Sequence, residues 1–111
     1  MIIGQNTQQN IEFFICDEEN KIIPSSEYSQ VEFTFGANDD KHQVVKYWPK
    51  NNNIVYDVKE QKFIVTLTQQ ETQHWDYQVP VQIRVQFADG TIDSSEPEIW
   101  YLRPCLNKEV M

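Results

Sequence analysis

Apolar and polar residues alternate without a break from Val79 to Phe87. Strict alternation at period two is typical of a β-strand with one buried face. The Asp89-Gly90 pair that follows is typical of a two-residue hairpin turn, because both turn positions need a positive φ. This pattern predicts a long hairpin and indicates an antiparallel β domain.

Shorter stretches of the same kind recur along the chain and predict further strands near residues 9–16, 29–36, 44–48, 54–56, 63–67 and 98–103. The segment from Thr68 to Glu71 has the form of a capping box and predicts one short helical turn near Thr68–Gln73, which carries the chain through Thr72 to Trp75. Strands of this length and spacing predict an all-β fold, an immunoglobulin-like antiparallel β-sandwich of about seven strands with one short helical turn.

The predicted hairpin also gives a register. If Asp89-Gly90 forms a two-residue loop, Phe87 faces Ile92, and Val79 faces Trp100 eight residues further from the turn on each strand. This register places Glu96 and Glu98 on the inner side, which is unfavourable unless a β-bulge near Ser94-Ser95 shifts them or the strand has left the core there.

The same register assigns the faces of the last strand. Trp100 and Leu102 point into the core, whereas Ile99 and Tyr101 point outward. Two large apolar side chains on an exposed face suggest a surface that a partner covers. We therefore expect a candidate partner interface at Ile99 and Tyr101, with Trp75 as a third contributor. The alternative is a strand shifted by one residue, which would expose Trp100 instead.

Composition limits the function classes. The 111 residues predict one domain that spans residues 1–111. The formal net charge of −8 argues against nucleic acid and against an anionic membrane surface, since both bind cationic proteins. We therefore expect no nucleic acid and no membrane among its partners.

The amino terminus lacks the pattern of a signal peptide, and the two cysteines, Cys16 and Cys105, do not form a disulfide framework. We expect synthesis in a cytoplasm with both thiols reduced. A Cys16–Cys105 bridge is the alternative once the protein has left a cell.

Acidic residues flank both histidines, so a catalytic pair could be drawn at each: His42 follows Asp39-Asp40, and Asp76 lies two residues after His74. Neighbours on a strand point to opposite faces, and no serine or cysteine lies in an activated context. The acidic run that starts at Asp17 lacks the ligand spacing of a calcium loop. We expect no enzymatic activity, no metal and no cofactor.

The second half of the chain resembles a family of small tail-associated proteins of phages and prophages of Gram-positive bacteria. These are similar to the immunoglobulin-like amino-terminal domain of phage baseplate upper proteins. The matching stretches run from Ile64 to Thr72, with Trp75 as the following aromatic, from Val81 to Val85 and then Asp89-Gly90, and from Cys105 to Val110. The first half agrees only in the rhythm of its strands.

This resemblance implies a non-enzymatic structural or accessory protein of the virion, associated with the tail or baseplate. Its partners would be other phage structural proteins, or further copies of the chain. The alternative is a glycan-binding module that uses exposed aromatic side chains to attach to a host surface. A coplanar aromatic pair in a groove would favour glycan, whereas apolar side chains on a flat face would favour assembly.

Overall fold

The computed structural model describes residues 2–4, 7–36, 41–50, 53–73, 75 and 78–103. These residues form nine strands and one short helix, in the following order: β1 Ile2–Gly4, β2 Gln9–Phe13, β3 Tyr28–Phe35, β4 Val44–Trp48, β5 Ile54–Asp57, β6 Lys62–Leu67, α1 Gln69–Thr72, β7 Gln78–Phe87, β8 Ile92–Ser94 and β9 Glu98–Arg103. A 3-10 turn at Ser25–Glu27 precedes β3. The predicted all-β class is confirmed.

The strands form two sheets. The larger has the order β1-β9-β7-β3-β4, with β8 also paired to β7, and the smaller has the order β2-β6-β5. This order reproduces the immunoglobulin arrangement, in which strands B, E and D face strands G, F and C. The sequence pattern predicts no strand at β1, which pairs with β9 in parallel.

The core lies between the two sheets. Alternate residues of β3 and β6 are fully buried, and the rings of Phe33 and Phe63 meet across the sheets with centroids 5.7 Å apart. Trp48 packs against the ring of Phe63 as well, whereas its neighbour Tyr47 lies on the opposite face of β4. Burial of these large side chains supplies the main driving force for the fold.

The helical turn begins as predicted. Thr68 Oγ1 accepts the backbone N–H of Glu71 at 3.2 Å, and the Glu71 carboxylate accepts the backbone N–H of Thr68 at 2.8 Å. These two hydrogen bonds form the complete capping box. The helix spans Gln69–Thr72 with Gln73 as its C-cap, which agrees with the single short turn predicted near Thr68–Gln73.

The turn of the hairpin differs from the prediction. The Phe87 N–H donates to the carbonyl of Thr91, so the loop has three residues rather than two, and Gly90 has a φ of 92°. This is the geometry of a type I turn followed by a glycine bulge. As a result Ile92 faces Gln86 and not Phe87, which corrects the register predicted for β8.

The strand predicted near residues 9–16 is also shorter, because regular pairing ends at Phe13. Beyond it the chain turns back, and Cys16 pairs with Ile22 as an isolated bridge. The intervening turn is held by Asp17, whose Oδ1 accepts the backbone N–H groups of Glu19 and Lys21 at 2.8 and 3.0 Å. The acidic run is therefore a hydrogen-bonded turn at the surface.

Candidate partner interface on the outer sheet face

The outer face of β9 carries the exposed apolar residues that the sequence predicts. Val79 pairs with Trp100, as predicted, because one extra residue between Ser95 and Glu98 restores the register beyond β8. Trp100 is 4% exposed, whereas Ile99 is 42% exposed and Tyr101 is 40% exposed. The alternative strand shift is wrong. The side chain of Leu102 lies outside the described residues.

Trp75, the third residue expected at this interface, is in the core. It is 2% exposed, and its ring stacks on Phe35 with centroids 5.9 Å apart and an angle of 20° between the planes. Its Nε1–H donates to the carbonyl of His42 at 2.9 Å. This burial corrects our expectation, because a partner cannot reach the indole without unfolding the site.

Ile99 and Tyr101 have polar and apolar neighbours on β7. Ile99 lies opposite Pro80, and Tyr101 lies opposite Gln78. Proline offers no N–H, and its ring adds an apolar surface beside Ile99. The corner made by Ile99, Tyr101, Pro80 and Gln78, which we call the β9 corner, is thus more apolar than the centre of the same face.

The centre of this face is charged. Arg84 and Glu32 are cross-strand neighbours on β7 and β3, and Arg84 donates to the Glu32 carboxylate at 2.6 Å. This hydrogen bond, together with the charge of Glu32, raises the pKa of Arg84. A shallow hollow of about 170 Å³ lies over the pair and is bordered by Gln30, Tyr47, Gln86 and Ile92.

Two tyrosines of this face, the half-buried Tyr47 and the exposed Tyr101, are far apart. Tyr47 lies on β4 and Tyr101 on β9, and strands β3 and β7 separate them. Neighbouring strands are about 4.8 Å apart, so the two strands are separated by roughly 14 Å. The two rings therefore do not form the coplanar pair that would favour glycan binding.

The candidate catalytic pairs cannot be assembled from the described part of the chain. His42 is described, whereas Asp39, Asp40, His74 and Asp76 lie outside the described residues. Within the described ranges, no three acidic, histidine or cysteine side chains are grouped to hold a metal ion. Cys16 carries an exposed thiol, and Cys105 lies outside the described residues.

Comparisons with known proteins identify no relative of this chain. No protein-family model matches the chain, and no curated protein matches it. In the part of the chain that the structure describes, no helix has the length and apolar character needed to cross a membrane.

Proposed function

We propose that this chain is a non-enzymatic structural or accessory protein of a phage or prophage particle, associated with the tail or baseplate, that acts through protein–protein contacts. It would be made in the bacterial host cytoplasm and end in the virion. The proposal combines the resemblance of the second half of the chain with the immunoglobulin-like strand order. Its partners would be other structural proteins of the particle or further copies of the chain.

The observation that carries this proposal is the exposure of Ile99 and Tyr101 on the outer face of β9. Both side chains keep about two-fifths of their surface exposed in a domain with a net charge of −8. Apolar anchors surrounded by polar residues are typical of a protein interface. The β9 corner supplies the anchors, and the neighbouring Arg84–Glu32 pair supplies a polar rim with a fixed charge pattern.

The arrangement of aromatic side chains favours assembly over glycan binding. Glycan recognition needs aromatic faces that lie close enough to stack on one sugar or on consecutive sugars. Tyr47 and Tyr101 are on the same face but on separated strands, and Trp75 and Trp100 are buried. An outer face whose apolar side chains are scattered rather than paired fits contact with another protein.

A test compares two double variants in the strain that carries the gene. Ile99→Asp with Tyr101→Ser removes the two anchors. Val55→Asp with Val58→Ser is the matched control, because Val55 is 57% exposed and Val58 is 78% exposed and both lie outside the larger sheet. Particles are induced and purified, and the chain in them is measured by immunoblot.

We expect the wild type and the control to be present in particles and the β9 corner variant to be reduced by about tenfold, the effect of roughly 1.4 kcal/mol of lost binding energy. Circular dichroism and thermal melting verify that both variants fold. Absence of the wild-type chain from particles would contradict the virion role. Normal incorporation of the β9 corner variant would show that another surface makes the contact.

A further inference from the structure

A second surface lies on the side of the sandwich, away from the β9 corner. A cleft of about 570 Å³ opens between the segment that follows β2 and the inner side of β7 and β8. Its apolar lining consists of Phe14, Ile15, Ile23, Ile83, Val85 and Phe87. Phe14 is 48% exposed at this cleft, so a large aromatic ring is available to an occupant.

The charged residues of the cleft are all acidic. Asp17, Glu18 and Asp93 line it, and no lysine or arginine is among the described lining residues. Lys21 does not neutralise these carboxylates, because its ammonium group lies 3.6 Å from the Glu19 carboxylate at the surface. An occupant with positive charges beside its apolar groups would therefore be favoured, and the overall charge of −8 strengthens that preference.

One wall of the cleft is a strand with an open edge. In the part of the chain that the structure describes, β8 pairs with β7 alone. Thr91 and Ser95 bond to the backbone of β7, so the backbone groups of Ile92 and Ser94 point away from it. The N–H of Ser94 donates to the carboxylate of Asp93 at 2.8 Å, a local hydrogen bond that an added strand would replace, whereas Ile92 is 61% exposed.

The transition from β8 to β9 keeps this edge separate from β9. The extra residue between Ser95 and Glu98 shifts the register by one, and Pro97 in that segment has no N–H to donate. The open edge is therefore short. Its inward-facing residue Asp93 lies opposite Val85, next to the apolar floor of the cleft.

We propose that this cleft binds an extended, basic segment of a partner protein, which adds a strand to the open edge of β8. Side chains on one face of that segment enter the apolar floor, and lysine or arginine side chains meet Asp17, Glu18 and Asp93. Strand addition supplies backbone hydrogen bonds, and the alternating side chains supply specificity. The cleft shares no residue with the β9 corner, so this proposal stands independently of the proposed function.

The acidic rim argues against a second copy of this chain as the occupant. Each copy carries a net charge of −8, and like charges brought together at an interface weaken association. A purely apolar occupant would leave the negative charges of the three carboxylates without an opposite charge, although Asp17 and Asp93 already accept backbone hydrogen bonds. A basic segment with alternating apolar residues matches both, because its apolar side chains pack on the cleft floor and its positive charges meet the carboxylates.

The experiment uses the full chain and a labelled decapeptide in which lysine alternates with valine and isoleucine. Fluorescence anisotropy measures binding, and amide chemical shifts locate it. We expect saturable binding, with the largest shifts in residues 14–18 and 92–95. The affinity should fall about tenfold between roughly 50 and 300 mM salt, because charge attraction is screened.

Two control peptides separate the parts of the proposal. A peptide with glutamate in place of each lysine keeps the apolar pattern, and we expect no binding because its charge is reversed. A peptide with alternate backbone nitrogens methylated keeps the charge but cannot form a ladder. We expect it to bind at least about tenfold more weakly.

Two protein variants complete the test. Glu18→Lys with Asp93→Lys should weaken binding of the lysine peptide by more than about tenfold. Glu27→Lys with Glu98→Lys is the control of equal charge change, because both glutamates are exposed and lie outside the cleft lining, and it should retain most of the affinity.

The proposal is overturned by absence of binding to the lysine peptide, by equal loss of affinity in the two protein variants, or by shifts located elsewhere. Equal binding of the methylated peptide would also overturn strand addition. Binding of the glutamate peptide would overturn the role of the acidic rim. Dimerisation of the free protein that involves residues 92–95 would assign the edge to a second copy instead.

Discussion

Lys46 Nζ donates to the Glu71 carboxylate at 2.9 Å, and this ion pair connects the inner side of β4 to the helical turn. Lys46 pairs with Phe33 in the sheet, so its side chain points to the core face, and it is 4% exposed along its side chain. Strand β4 is an outer strand of the larger sheet. An inward-pointing charge on such a strand disfavours pairing with another chain at that edge.

The first prediction concerns this ion pair. Glu71→Ala removes the partner of a buried ammonium and one half of the capping box. We expect it to lower the free energy of unfolding by about 3 kcal/mol, at the lower end for breaking a buried pair because the carboxylate is partly exposed. Urea unfolding measures the loss.

Two further variants separate the contribution of the Glu71 charge from that of its capping hydrogen bond. Glu71→Gln keeps an oxygen that can accept the N–H of Thr68, so only the charge is lost, and it should be less destabilising than Glu71→Ala. Adding Lys46→Met to Glu71→Gln removes the stranded ammonium and should recover most of the loss. A Glu71→Gln variant as stable as the wild type would contradict a contribution from the pair.

The second prediction concerns the cap itself. Thr68→Ala removes the acceptor of the Glu71 N–H and should cost about 1 kcal/mol. Thr68→Ser keeps the hydroxyl and is the matched control. Comparable denaturation midpoints for Thr68→Ala and the wild type would mean that the capping box does not stabilise the turn.

Period two predicts the central strands well, because alternation is a local property of the sequence. β4 begins and ends at the predicted residues, and β3, β6 and β7 begin within one residue of them. β1 was not predicted, since three residues are too few to show a period. Its parallel pairing with β9 depends on contacts about one hundred residues apart along the chain.

The hairpin shows the limit of reading a turn from a dipeptide. Asp89-Gly90 predicts a turn correctly, but the dipeptide fits both a two-residue loop and a three-residue loop that ends in a glycine bulge. The structure has the second form, and the register of β8 changes by one residue. The later bulge restores the register, which is why Val79 and Trp100 still pair as predicted.

The candidate sites depend on exposure, which the sequence predicts only inside regular strands. The exposure of Ile99 and Tyr101 is predicted correctly, because alternate residues of a strand point to opposite faces. Trp75 lies after the helix, where no period assigns a face, and its burial depends on a contact with the distant carbonyl of His42. The lateral cleft has no sequence signal, because it is formed by segments that the fold brings together.

The third prediction concerns Thr72, which is fully buried. The Thr72 hydroxyl accepts the N–H of Thr7 at 2.9 Å and lies 2.8 Å from the Thr7 carbonyl. Thr72→Val removes both contacts while it keeps the shape, and it should cost about 1–3 kcal/mol because the backbone groups of Thr7 lose their partner. Thr72→Ser retains the hydroxyl and should cost less.

Hydrogen exchange provides a second measurement for Thr72. The Thr7 amide should exchange faster in Thr72→Val than in Thr72→Ser. Only the valine variant removes the hydroxyl that accepts the Thr7 N–H, so this amide loses its protecting hydrogen bond. Equal protection of Thr7 in both variants would mean that the hydroxyl does not hold this segment.

The last prediction concerns the pH dependence of the hairpin. Asp89 Oδ1 accepts the hydroxyl of Thr91 at 2.7 Å and its N–H at 3.0 Å. These hydrogen bonds, the hydroxyl one first, lower the pKa of Asp89 below its usual value. Because the pKa is lower in the folded state, the carboxylate stabilises the fold above its unfolded value of about 3.9. That stabilisation is lost as the pH falls through the folded value.

Asp89→Asn keeps an acceptor for Thr91 but cannot titrate, so it is the matched variant. We expect the wild type to lose more stability than Asp89→Asn on acidification. The difference in denaturation midpoint between the two proteins should therefore be largest above pH ~5 and should shrink towards pH ~2. The sign follows from the lowered pKa, since only the wild type takes up a proton at this position on acidification. A constant difference across that range would show that Asp89 titrates alike in the folded and unfolded chains.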